Sequence, residues 1–174
     1  EVTRLIKRCN DLLHYIEDNK LEHVSNQNIA LYVAQGTALR VFYYNMLWHY
    51  FGNIPFYLKN LTSPYTAPQL PADEVYNAII VELEGVIDMD VLPMRWDNDN
   101  SGRISQAMVY MMYAEMVMYQ NDQSRYSKAL EYMKKIIESN QYKLHDDYAN
   151  LWEESGEWCE ESIWEINFTS VGST

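Results

Sequence analysis

Cysteine is almost missing from this sequence, and the two residues present, Cys9 and Cys159, do not make a disulfide framework. Cys9 falls on an apolar helix stripe, which predicts a buried thiol. Cationic side chains are also scarce: 13 Lys and Arg stand against 25 Asp and Glu, a net charge of −12. That balance excludes nucleic acid as a partner, because its phosphates would be repelled over most of the surface. No apolar run is long enough to span a bilayer, and no signal-peptide pattern opens the chain. Glu1 begins inside a helical pattern with no cap before it, so the chain is expected to be a fragment of a longer protein.

Signs of catalysis are missing too. The histidines, His14, His23, His49 and His145, are scattered without the i, i+4 pairing that metal sites on helices use. There is no glycine-rich phosphate loop and no nucleophile elbow. Carboxylates are plentiful, but a glycosidase pair is defined by a distance rather than a spacing. The chain is therefore read as non-enzymatic, with no cofactor and no metal. One loop, Arg95–Gly102, tests that reading. Asp97, Asp99, Ser101 and Gly102 match the opening positions of an EF-hand loop. The position that needs a bidentate Glu holds Met108, so an acidic turn capping a helix is the better account.

What the chain has in abundance is aromatic side chains, with 15 Tyr and 5 Trp. Most of the tyrosines recur at helical spacing, which places them in a core with their hydroxyls reaching water. The stretch Ala38–Phe56, ALRVFYYNMLWHYFGNIPF, is apolar around its circumference and predicts a buried helix. Gly52 stands where a left-handed C-cap residue belongs, and Pro55 forbids continuation. Arg40 on so apolar a helix predicts a carboxylate or carbonyl partner and a structural role.

The rest of the chain is helical by the same test. Val2, Leu5, Ile6, Cys9, Leu12, Leu13 and Ile16 make a stripe over Glu1–Asn19, with Asn10 just off it. A second helix is predicted from about Ile29 to Tyr50, where Gly36 marks a close helix approach. Phe56–Leu70 reads as a loop, and Pro71, Ala72 and Asp73 open a third helix that ends near Asp90. Ile104–Tyr119 and Tyr126–Asn140 form an antiparallel pair, the latter with Tyr126, Ala129, Leu130, Met133, Ile136 and Ile137 on one face. Over about residues 103–140 this pair has the layout of a tetratricopeptide repeat, which needs neighbours to cover it. YKLHDDYANLW predicts a short helical turn, and Ser162–Phe168, SIWEINF, alternates like a β-strand. The fold class is all-α, a tetratricopeptide-like α-α superhelix over residues 1–174, with a short terminal β-strand.

Taken in order, ALRVFYYNMLWHYFGNIPF, LPADEVYNAIIVELEGVID, GRISQAMVYMMYAEMVMY, KALEYMKKIIESNQYKL and EESIWEINF resemble the SusD/RagB family of outer-membrane nutrient-binding lipoproteins. Asn53 stands where that family's turn has Asp, and Val41 where its helix has Ala. The resemblance implies a surface-exposed protein, lipid-anchored through a segment outside this chain, that works with a SusC-like TonB-dependent transporter. It implies capture of a polysaccharide or oligosaccharide, with a peptide- or protein-binding repeat module as the alternative. Sugar binding requires an aromatic face beside hydrogen-bonding groups. On that ground the candidates are Trp96 with Asp97 and Asn98, followed by Trp152 and Trp158, while Arg40, Gly52 and Pro55 are expected to be structural.

Overall fold

The computed structural model describes residues 1–19 and 21–167. Among these described residues there are five α-helices: α1 (Val2–Asp18), α2 (Asn26–Phe51), α3 (Ala72–Asp88), α4 (Gln106–Gln120) and α5 (Tyr126–Glu138). Each packs on the next in sequence, α1 on α2, α2 on α3, α3 on α4 and α4 on α5, which is the stacking order of a helical-repeat solenoid. Short 3₁₀ turns at Asn98–Asn100, Gln123–Arg125, Asn150–Trp152 and Glu154–Gly156 shape the connections.

The core forms where apolar faces meet. Ile6 from α1, Ala38, Val41 and Tyr44 from α2, Ile79, Ile80 and Leu83 from α3, and Tyr113 and Met116 from α4 are all fully buried. Gly36 admits α1 closely: a Cβ there would lie 3.2 Å from Leu12 and 3.3 Å from Leu13. On α5 only part of the expected stripe is covered. Ala129, Tyr132 and Ile136 are buried, and Tyr132 stacks on Tyr110 at 4.5 Å. Leu130 and Ile137 remain exposed, and α4 is the helix that packs most extensively on α5.

Arg40 has the partners its burial demands. Nε and Nη2 donate to the Glu82 carboxylate at 3.1 and 2.8 Å, and Nη1 donates to Asn10 Oδ1 at 2.9 Å and to the Leu58 carbonyl at 3.4 Å. Asn10 is itself fully buried, so it braces Arg40 rather than facing water. Burial pushes the Glu82 carboxyl above its ordinary range, against the pull of Arg40.

The corner after α2 falls where the sequence predicts, but Gly52 is not the left-handed C-cap residue expected there. Gly52 has φ +66°, a backbone that L side chains rarely adopt, and its N–H donates to Trp48 O at 2.9 Å. Its ψ of −93° places it outside the left-handed helical region. Pro55 then closes a two-residue strand, β1 (Ile54–Pro55), paired antiparallel with β2 (Gln69–Leu70). This pairing turns the Phe56–Leu70 loop back on itself. Asn53 Oδ1 accepts the Ala72 N–H at 2.9 Å and so caps α3, where Pro71 supplies no capping side chain.

The terminal strand expected over Ser162–Phe168 is corrected for residues 162–167, which form no strand; Phe168 lies outside the described residues. Two of the segment's apolar side chains, Ile163 and Trp164, dock on the core instead of pairing with a sheet, while Ile166 stays exposed. Trp164 meets the Phe42 ring edge-on at 5.2 Å, and its Nε1 donates to Gly102 O at 3.0 Å. Ile163 packs on the same core.

Candidate ligand-binding surface

The sequence-predicted site residues fall in two loops that the fold draws together beyond α3 and α5. Arg95 joins them. Its guanidinium donates to the carbonyls of Gln141 at 2.8 Å, Cys159 at 2.7 Å, Glu160 at 3.1 Å and Trp158 at 3.4 Å, and lies 4.7 Å from the centre of the Tyr142 ring. Tyr142 in turn donates to Met94 O at 3.0 Å. Backbone carbonyls that no sheet satisfies thus find their donors on one cation.

Trp96, Asn98 and Trp158 line one small cleft here with Gly102 and Tyr142. The indole Nε1 of Trp96 donates to Ile104 O at 2.8 Å, and the Arg103 guanidinium lies over its ring at 4.3 Å. Trp158 has φ +57°, its N–H donates to Glu165 Oε1 at 2.8 Å, and its ring edge abuts Gly102. The cleft holds about 30 Å³, room for a water molecule and far less than a sugar ring occupies. Asp97 accepts from the backbone N–H of Asn100 at 3.0 Å and from its side-chain amide at 2.7 Å, which caps the 3₁₀ turn in which Asn98 sits exposed. The acidic-turn reading of this loop is the one its hydrogen bonds bear out.

Trp152 lies apart from that cleft. It is 74% exposed, beside Tyr148 at 72%, with ring centres 6.0 Å apart and planes at 72°. Leu144 is similarly open, at 79%. Two amphipathic rings held side by side and wet present the kind of surface on which a sugar face stacks. Tyr148 was not singled out in the sequence; its proximity to Trp152 in an irregular loop was the available signal.

The same loop gathers His145, Cys159 and Glu160, whose potential ligand atoms all lie within 4.8 Å of one another. The scattered histidines gave no hint of this, because the partners of His145 come from a separate stretch of chain. Larger cavities lie elsewhere. One of about 360 Å³ sits at the corner after α2, lined by Ile6, Tyr44, Phe51, Ile54, Tyr57 and Gln69 among others. Another of about 350 Å³ runs between α1 and α2 past Leu13, His14, Thr37 and Arg40. None of the sugar-site candidates lines either one.

These features define a class: a helical-repeat scaffold with an aromatic-bearing loop surface at its C-terminal end. No family model matches the sequence, and neither does any curated protein. Solved structures do. Surface glycan-binding protein A from Bacteroides uniformis is similar at 59% identity over 94% of this chain and 36% of that one, with a TM-score of 0.89. The protein of the same name from Bacteroides thetaiotaomicron, solved in complex with laminarihexaose, is 52% identical over 94% of this chain and 33% of that one, at a TM-score of 0.87. A laminarin-binding SusD-like protein is 26% identical over 91% of this chain and 34% of that one, at a TM-score of 0.80. The chain is thus similar to surface glycan-binding and SusD-like proteins, and it spans about a third of the length of these relatives.

Proposed function

We propose that this chain is the helical-repeat part of a non-enzymatic cell-surface protein that captures oligosaccharides and delivers them to a SusC-like TonB-dependent transporter of the outer membrane. In this reading residues 1–174 are a single region of a larger protein, and about 103–140 is one tetratricopeptide-like pair within it. Attachment to the membrane is through a lipid outside this chain. Among the described residues no helix is long and apolar enough to cross a bilayer.

The observation that carries the proposal is the 52% identity, over 94% of this chain, to a protein solved with laminarihexaose. It also points to laminarin oligosaccharides as the first ligands to test. Within the chain, Trp152 with Tyr148 is the surface best suited to stacking, since both rings are open to solvent. Trp96, Asn98 and Trp158 line a separate small cleft, with Asp97 capping its turn, and are the secondary candidates.

Calorimetry on the full-length protein with laminarin and a panel of other polysaccharides tests the reading. Saturable binding of laminarin oligosaccharides is the expected result. Binding of peptides with no affinity for any glycan would sink it in favour of a protein-binding repeat module. Co-purification of a TonB-dependent transporter from detergent-solubilised membranes tests the delivery step.

A further inference from the structure

The segment after α5 doubles back on itself so that residues 143–145 meet residues 159–161. The Lys143 N–H donates to Glu160 O at 3.1 Å, and the His145 N–H donates to Glu161 Oε2 at 2.8 Å. Between them lie a ring nitrogen of His145, the Cys159 Sγ and a Glu160 carboxylate oxygen, all within 4.8 Å of one another. Each of the three residues is only partly exposed. His145 Nδ1 is buried and makes no well-aligned hydrogen bond, although Glu160 Oε1 lies 3.2 Å away.

We propose that His145, Cys159 and Glu160 form a binding site for a zinc-like divalent cation. The donor chemistry selects the class. An imidazole nitrogen, a thiolate and a carboxylate together suit zinc and its borderline neighbours, whereas calcium and magnesium call for all-oxygen sets. Tetrahedral zinc, with bonds of roughly 2.0–2.3 Å, spaces its donors about 3.3–3.8 Å apart. A set already within 4.8 Å closes on the ion by small side-chain adjustments.

The surroundings support the site. Asn150 Nδ2 lies 3.2 Å from His145 Nε2, and Ser155 Oγ donates to Asn150 Oδ1 at 2.6 Å. A half-turn of the Asn150 amide presents its oxygen to Nε2–H and leaves Nδ1 free for the metal, the usual outer-shell arrangement. Arg95 fixes the carbonyls of Cys159 and Glu160, so the backbone that carries two of the ligands is already held. Lys143 Nζ, 3.2 Å from Glu160 Oε1, opposes a cation, but its side chain is 64% exposed and can swing into water. On binding, the Cys159 thiol loses its proton to solvent, leaving three protein ligands and one open position.

Titration of the full-length protein with cobalt(II) or zinc(II) alone tests this. Cobalt is expected to bind at one equivalent with a thiolate-to-metal charge-transfer band in the near ultraviolet. The band should survive in Cys9→Ser and vanish in Cys159→Ser. His145→Gln and Glu160→Gln should weaken zinc binding by roughly tenfold or more. Absence of the band in the unmodified protein, or its persistence in Cys159→Ser, overturns the proposal. A second measurement needs no variant: zinc should slow alkylation of Cys159 by iodoacetamide, read by peptide mass spectrometry. Equal alkylation rates with and without zinc also overturn it.

Discussion

Arg40 on α2 grips Glu82 on α3 through two parallel hydrogen bonds at 3.1 and 2.8 Å, with only 8% and 19% of the two side chains exposed. Asn10 on α1 takes a further guanidinium hydrogen, so one cation ties three helices. Planar, two-pronged pairing of this kind is specific to arginine. The pair is structural, as the sequence predicts for a cation on so apolar a helix.

Removing one partner leaves the other charge buried and unpaired. Glu82→Ala is expected to destabilise the fold by about 3–5 kcal/mol. Urea denaturation monitored by circular dichroism would measure it. A loss under about 1 kcal/mol would mean that water reaches Arg40 easily and that the pair does not hold the helices together.

Asn53 caps α3 from the far side of a long loop. Asn53→Ala should cost about 1 kcal/mol, the usual value for losing a helix cap. Asn53→Asp keeps an acceptor and adds a negative charge at the helix N-terminus, so it should be neutral or stabilising by about 0.3–1 kcal/mol. Thermal melts of the two variants should therefore move in different directions or by clearly different amounts. Equal losses would show that the amide nitrogen, not the oxygen, is what the corner uses.

Asp122 is the acid-sensitive point of the turn between α4 and α5. Hydrogen bonds from Ser124, then from Arg125 and Tyr76, hold its carboxyl at about 2, below its ordinary 3.8. A depressed folded-state pKa means that the stabilisation is complete above the ordinary value and is lost as pH falls toward the depressed one. Wild type should exceed Asp122→Asn in Tm at neutral pH, and the gap should shrink between about pH 4 and pH 2. A gap that stays constant through that window would show that the carboxylate charge contributes nothing to the turn.

The two tryptophan environments separate binding from folding. Trp152→Ala should leave Tm nearly unchanged and weaken oligosaccharide affinity about tenfold, the equivalent of 1.4 kcal/mol. Trp96→Ala should lower Tm, because its ring and Nε1 are engaged by Arg103 and Ile104. Calorimetry and melting curves on the same full-length proteins decide the matter. Unchanged affinity in Trp152→Ala would remove the Tyr148–Trp152 surface from the binding site.

The helices were legible because each announces itself within a few residues: the stripe from Val2 to Ile16, the aromatic run of α2, and the glycine and proline that end it. Arg40 was legible as a residue in need of a partner, though not which one, since Glu82 is 42 positions away. The sequence carried no sign of contacts made across loops. Asn53 looks like a simple turn residue until α3 is seen resting on it. SIWEINF alternates like a strand, yet alternation records only which side chains are apolar, and here Ile163 and Trp164 pack on the core with no sheet to join. Trp96 and Trp152 read alike in a polar loop; their difference lies in Arg103 and Ile104, which reach one ring and not the other. His145 met Cys159 and Glu160 only because residues 143–145 fold back on residues 159–161.

In the proposed function, the four carbonyls held by Arg95 bear on ligand capture as well as on folding. A loop that had to settle into shape around each arriving sugar would lose part of its contact energy to that ordering. Here the stretch that carries Tyr148 and Trp152 is tied down on both sides, at Gln141 and at Trp158–Glu160, before any ligand arrives. On the proposed reading, part of the entropy of arranging its aromatic surface is settled during folding rather than at each encounter.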